Sequence, residues 1–207
     1  MKLYYFETLN PRKACAVAQY LRVPVEFARI DLGRGEHRTP EFLALNPNGK
    51  VPVLRDGDLA LWESNAIMCY LSDAAKADLW PHDARQIEVL RWLNWDACHF
   101  TRHAGTLYFE HIIKPRLGLG EPALANVKEA MGFFRTHASV LNDHLRGRKF
   151  LLGDQLTVAD FAVGITLPYA GAAKLPINEF PEVERWHERL AEMPAWRDPF
   201  PVVRAAA

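Results

Sequence analysis

The sequence predicts an α/β half followed by an all-α half, and three observations carry that prediction. The hydrophobic period changes once, near residue 80: before that point short apolar runs alternate with helical segments, and from Asp83 onward the spacing is helical throughout. Arg55-Asp56-Gly57-Asp58 separates two short apolar runs, Val51–Leu54 and Leu59–Trp62, and Asp-Gly in that setting signals an antiparallel hairpin. Ser72 to Pro81, rich in Ala and Asp and running into Trp80-Pro81-His82-Asp83, reads as a linker. The expected domains are residues 1–76 and 84–207.

The elements follow in order. Leu3–Phe6 is a strand, and a helix carrying Ala14, Val17, Ala18 and Leu21 comes next. Pro11 falls near that helix start, where its missing N–H does no harm, and Pro24 follows the helix end. Val25–Ile30 is the second strand, which completes a βαβ unit. After an irregular or helical stretch come the hairpin and a helix over Ser64–Leu71. In the second half Ile87, Leu90, Leu93 and Trp95 open one long helix, and Ala123–Leu145 carries another.

Composition narrows the function. Lys plus Arg number 25, as do Asp plus Glu, so the field that would gather nucleic acid or an anionic membrane surface is missing. No apolar run approaches the ~20 residues of a membrane span, and Lys2, Glu7, Arg12 and Lys13 interrupt any secretory signal, so a cytoplasmic location is expected. Cys15, Cys69 and Cys98 show neither Cys-x-x-Cys nor zinc spacing and read as small buried residues.

Three stretches can carry chemistry. In Asn46-Pro47-Asn48-Gly49-Lys50-Val51-Pro52 a proline enters a strand. Either Val51–Pro52 is cis and turns the Val51 backbone outward toward a peptide-like ligand, or Pro52 is trans in an edge strand. In Trp62-Glu63-Ser64-Asn65, Ser64 can cap a helix whose N–H groups favour a carboxylate while Glu63 takes an adjacent ammonium; a plain cap beside a solvated Glu is the alternative. Asp96, His99 and His103 fall at i, i+3 and i+7 on one helix face, but this is not His-Glu-x-x-His and no metal site is expected. Thr157 and Asp160 have capping-box spacing and are expected to be structural.

The order βαβ, Val51-Pro52 before a hairpin, Glu63-Ser64 at the next helix start, an acidic linker and then a helical half resembles the cytosolic glutathione transferases. The resemblance implies a thioredoxin-like N-terminal domain that binds glutathione as co-substrate, a helical C-terminal domain that takes an electrophile, and a homodimer. It places Val51 on the cysteinyl backbone, Glu63 and Ser64 on the γ-glutamyl end, and Lys50, joined by His37, on the glycyl carboxylate. Around the sulfur it implies Thr8 and Asn10, an arrangement similar to that of nu-like bacterial transferases, in which disulfide or peroxide reduction is the implied chemistry; the alternative is that Asn10 only caps the helix. His99, Arg102, His103 and Tyr108 are the implied electrophile contacts, and Trp186, Trp196 and Phe200 are candidates to close that pocket. The same fold used as a non-catalytic binding or regulatory module is the competing expectation.

Overall fold

The computed structural model describes residues 1–201. The chain forms two compact units, Met1–Trp80 together with the stretch that begins at Met193, and Pro81–Glu192.

The first unit is a four-stranded mixed sheet with helices. Its strands are β1 (Lys2–Tyr5), β2 (Glu26–Arg29), β3 (Val53–Asp56) and β4 (Leu59–Trp62), in the order β2-β1-β3-β4. β1 pairs parallel with β2 and antiparallel with β3, and β3 pairs antiparallel with β4 across the expected turn, where Gly57 supplies φ +56°. Helices α1 (Leu9–Tyr20) and α3 (Ser64–Ala74) pack together, while α2 (Pro40–Leu45) follows a 3₁₀ turn at Glu36–Arg38. The core joins Leu3 and Leu54 of the sheet to Ala14 and Val17 of α1 and Ile67, Met68 and Leu71 of α3, all fully buried. Each of the larger side chains contributes about 1.5–3 kcal/mol by leaving water. The stripe anticipated on α1 is therefore its core face, and the helix ends where Arg22 turns left-handed at φ +53° and Val23 N–H donates to Ala18 C=O.

The second unit is helical. α4 (Arg85–Trp95), α5 (Thr101–Tyr108) and α6 (Lys114–Arg116) form one run joined by two π-helical turns, Asp96–Phe100 and Phe109–Ile113. α7 (Leu124–Leu145), α8 (Val158–Val163), α9 (Ala170–Ala173) and α10 (Pro181–Ala191) complete it. The first π turn widens the helix and changes which side chains share a face. Asp96 is fully buried and accepts the Thr101 hydroxyl at 2.6 Å, while His99 is exposed, so the i, i+3, i+7 face read from the sequence is not one environment.

Asp160 behaves as expected of a capping residue. Its Oδ1 accepts Leu151 N–H at 2.9 Å and Trp186 Nε1–H at 3.2 Å, and its Oδ2 accepts Thr157 N–H at 2.9 Å and the Thr157 hydroxyl at 3.2 Å. Burial nevertheless raises its pKa to about 6, because four donors do not replace full hydration of the charge. Glu110 does a related task for α7, accepting Ala123 N–H, Asn126 Nδ2 and Lys114 Nζ at 2.8–2.9 Å, and these bonds hold its carboxyl at about 2.

Two expectations change. The described part of the tail does not belong to the helical unit: α11 (Pro194–Arg197) packs on α1, with Trp196 only 1% exposed. Cys98 is exposed, unlike fully buried Cys15.

Candidate functional site

Strand register brings the site segments to one end of the sheet. Tyr4 pairs with Val53, and Val53 pairs with Trp62, so the loop after β1, the Val51-Pro52 step before β3 and the Glu63-Ser64 step after β4 lie together. Tyr5 pairs with Arg29 in parallel, which adds the loop after β2, including His37, to the same end. Glu7 and Arg29 pair at 2.8 Å across that end, and the Arg29 guanidinium lies 4.7 Å from the centre of the Phe6 ring.

Val51–Pro52 is cis. Strand β3 accordingly begins at Val53, after the residue that lacks an N–H, and not at Val51. Neither the N–H nor the C=O of Val51 hydrogen-bonds within the described residues, which leaves a half-buried strand-like donor and acceptor for a peptide backbone. The preceding loop is fixed by Asn46, only 3% exposed: its Nδ2 donates to Lys50 C=O at 2.7 Å, and its Oδ1 accepts Asn48 N–H at 3.0 Å. Gly49 has φ +58°, and a Cβ there would lie 3.2 Å from the His37 carbonyl oxygen. This close approach sets His37 beside the Gly49-Lys50 turn, so the two expected carboxylate-binding residues share one corner. Lys50 is exposed and His37 half-buried, its Nε2 accepting Arg38 Nε–H at 3.2 Å.

At the start of α3 the cap is Glu63, not Ser64, which already belongs to the first helical turn. Glu63 is exposed and held at φ +71°, ψ +113°, a conformation costing about 1–3 kcal/mol for a non-glycine residue and concentrated at functional sites. Ser64 is 6% exposed, and Asn65 Oδ1 is buried without a partner at the same helix end. A carboxylate that can take an ammonium thus adjoins helix N–H groups that favour an anion.

At the start of α1 the cap is Thr8, so Asn10 is not the capping residue. The Thr8 hydroxyl makes no capping bond, and no acidic residue lies in the first turn. Arg12 and Lys13 follow, buried at 7% and 4% exposure. The electrostatics at this helix end favour an anion such as a thiolate, while Asn10 is exposed. Cys15 and Cys69 are poor candidates for that role: burial pushes Cys15 far up and Cys69 to about 12.

Of the four electrophile residues named from the sequence, His99, Arg102 and His103 lie close together and Tyr108 lies apart. His103 stacks on Phe133 at 4.5 Å, and His99 lies 5.0 Å from His137, both contacts directed toward α7. Arg102 and His103 line a polar cleft of about 300 Å³ with Thr106, Asn126 and Glu129. Tyr108, 7% exposed, instead meets Tyr169 edge-on at 5.0 Å. Trp186 donates to Asp160 inside the helical unit, Trp196 is buried in the first unit, and Phe200 stacks on Tyr5, so these three are packing residues and not walls of one pocket. Among the described residues no group of His, Cys, Asp or Glu is arranged to hold a metal ion.

Asn46, Gly49 and the strained Glu63 backbone were not singled out from the sequence. Asn46-Pro47-Asn48-Gly49 does carry the signature of a side-chain-closed turn followed by a left-handed glycine; nothing in Trp62-Glu63-Ser64 signals a positive φ at Glu63.

The sheet order and the helical second unit define a thioredoxin-like domain joined to an all-helical domain. Residues 1–73 match the glutathione S-transferase N-terminal domain and residues 104–194 the C-terminal domain. Glutathione S-transferase 3 of Zea mays is 36% identical over 179 residues, covering 83% of this chain and 80% of that protein. Among solved structures, a glutathione transferase from Burkholderia graminis with two glutathione molecules bound per subunit has a TM-score of 0.83 at 28% identity, covering 96% of this chain and 86% of that one. Glutathione S-transferase-I bound with lactoylglutathione has a TM-score of 0.88 at 28% identity, covering 96% and 97%. This chain belongs to the glutathione S-transferase family.

Proposed function

We propose that the protein is a glutathione transferase that binds glutathione at the end of the sheet in its first unit and ionises the thiol for attack on a small electrophile, a disulfide or a peroxide. The observation that carries this reading is the Val51 backbone, which is unpaired among the described residues and adjoins the starts of α1 and α3. In this reading Val51 pairs with the cysteinyl backbone, with Pro52 fixing its orientation. Glu63 takes the γ-glutamyl ammonium, Ser64 with the first N–H groups of α3 takes its carboxylate, and Lys50 with His37 faces the glycyl carboxylate. Thr8 and Asn10 donate to the sulfur.

The chemistry is economical. The thiol loses its proton to solvent, and the thiolate, stabilised by hydrogen-bond donors and the positive end of α1, attacks the electrophile as the leaving group departs with its electron pair. With a disulfide the same attack forms a mixed disulfide and releases the other thiolate. An apolar second substrate favours the Tyr108–Tyr169 side of the helical unit over the polar cleft at Arg102 and His103. The protein acts in the cytoplasm as a homodimer and takes neither nucleic acid nor membrane as a partner. No helix among the described residues is long and apolar enough to cross a membrane.

The test is conjugation activity of Thr8→Ala, Asn10→Ala and the double variant at several pH values. Loss of kcat by about 10–100-fold in the double variant, with a higher apparent pKa, is the expected result. Full activity in all three variants refutes the sulfur assignment, and absence of glutathione binding by the unaltered protein in a parallel titration refutes the function.

A further inference from the structure

A buried arginine ties the start of α1 to the far end of the chain. Arg12 Nη2 donates to the Trp196 carbonyl and, at 3.2 Å, to that of Arg197, and its guanidinium lies 5.7 Å from the centre of the Trp196 ring. Those carbonyls sit at the C-terminal end of α11, where helical N–H partners run out and a cation is favoured. Two more contacts extend the attachment: Gln19 Nε2 donates to Pro199 C=O at 2.6 Å, and Phe200 stacks on Tyr5 at 5.9 Å with 17° between the planes. The strap therefore touches the last residue of β1 and both the early and late turns of α1. On the site side, Arg12 N–H donates to Thr8 C=O at 3.1 Å, closing the first turn of the helix. The residue that fixes the Thr8 carbonyl is the one whose side chain is anchored to the tail.

We propose that the segment from Met193 to Pro201 is a working part of the thiol site and that Arg12 is a positioning residue, holding the Thr8 end of α1 against that segment. The proposal rests on the reading that this site ionises glutathione. Hydrogen bonds to a thiolate weaken steeply with distance and angle, so a small drift of the helix start lowers thiolate stabilisation while backbone pairing at Val51 and the α3 end stays intact. Arginine suits the task because the two N–H groups of one nitrogen, Nη2, held in the fixed plane of a permanently charged guanidinium, serve two carbonyls; lysine keeps the charge without that fixed plane.

The experiment compares the full-length protein with Arg12→Met, Arg12→Lys, Gln19→Ala and Phe200→Ala. For each, the thiolate absorbance of saturating bound glutathione is followed against pH, alongside the Kd for S-methylglutathione, which has no thiol proton, and a thermal melt. Arg12→Met is expected to raise the bound thiol's pKa by about one unit, roughly tenfold less thiolate below that pKa, with S-methylglutathione affinity changed less than about twofold. Phe200→Ala and Gln19→Ala shift it less in the same direction, and they carry the test if Arg12→Met does not fold. Arg12→Lys stays shifted. Earlier melting with an unchanged thiol titration overturns the proposal, as does full restoration by Arg12→Lys, which would make charge alone sufficient. If the unaltered protein binds glutathione without ionising it, the underlying reading of the site fails instead.

Discussion

Gly49→Ala isolates how the turn before Val51 is held. At φ +58° an alanine costs about 1–2 kcal/mol relative to right-handed backbone, partly offset by the ~0.4–1 kcal/mol gained from restricting the unfolded chain. The new Cβ also lies 3.2 Å from the His37 carbonyl and 3.3 Å from Leu43 Cδ2. Leu43 is 38% exposed and can turn away, but the carbonyl moves only with the 3₁₀ turn that carries His37. Gly57→Ala is the matched control, because Gly57 has φ +56° and nothing within 4 Å of its Cβ. Urea unfolding should therefore show a loss of up to about 1.6 kcal/mol for Gly57→Ala and about 1 kcal/mol more for Gly49→Ala, with equal m-values. Only Gly49→Ala should raise KM for glutathione, about three- to tenfold, with kcat nearly unchanged, since the turn serves binding and not the sulfur. Equal losses in the two variants, or an unchanged KM, refute the claim that the His37 contact shapes the glutathione corner.

Two further predictions concern pH and the fold. Asp160→Ala leaves the backbone N–H groups of Leu151 and Thr157 without acceptors, worth about 1–3 kcal/mol each, so a net loss of about 3 kcal/mol is expected at pH 7, where removal of a buried charge offsets part of it. Because the native pKa of Asp160 is about 6 against an ordinary 3.8, native protein holds the extra proton between those values, and the stability gap between wild type and variant should narrow as pH rises from about 4 to 6. Denaturant midpoints across that range check this, and a gap that widens contradicts it. Burial lowers the pKa values of His103, His137 and His144 below their ordinary 6.5; Arg102 and His99 lower His103 further while Glu129 raises it, and His99 and His103 lower His137 further. The unfolded chain therefore binds protons first: this contribution is complete above pH 6.5 and is lost as pH falls through the lower native values. His137→Phe should flatten the acid limb of stability, and an unchanged limb would show that these rings do not shape it.

Element order was legible because the period of the apolar residues is a local property: the Asp56-Gly57 turn, the α1 stripe and the change near residue 80 all survive in the structure. The capping residues lie one or two positions earlier than residue preference places them. Residue preference favours Ser64 as a cap and allows Asn10 as an alternative one, whereas the actual caps, Glu63 and Thr8, are fixed by where β4 ends and where the loop after β1 turns into the helix. The π turn at Asp96–Phe100 was invisible because it depends on a long-range choice, the burial of Asp96, that periodicity does not encode. For the same reason the sequence does not show that the stretch from Met193 packs with the first unit: only the folded chain brings Trp196 to Arg12. The segments that the sheet gathers at one end were legible because they are short, contiguous strings, whereas pocket walls are assembled from separate helices and leave no such string.

The most direct test of glutathione ionisation is calorimetric titration of the protein with glutathione near neutral pH in two buffers of different ionisation enthalpy. The expected result is binding with release of a substantial fraction of a proton, seen as a heat that differs between the buffers in proportion to their ionisation enthalpies. Binding with identical heats in both buffers would contradict thiol activation, and no binding heat in either buffer, with no displacement of a bound competitor, would contradict the glutathione site itself.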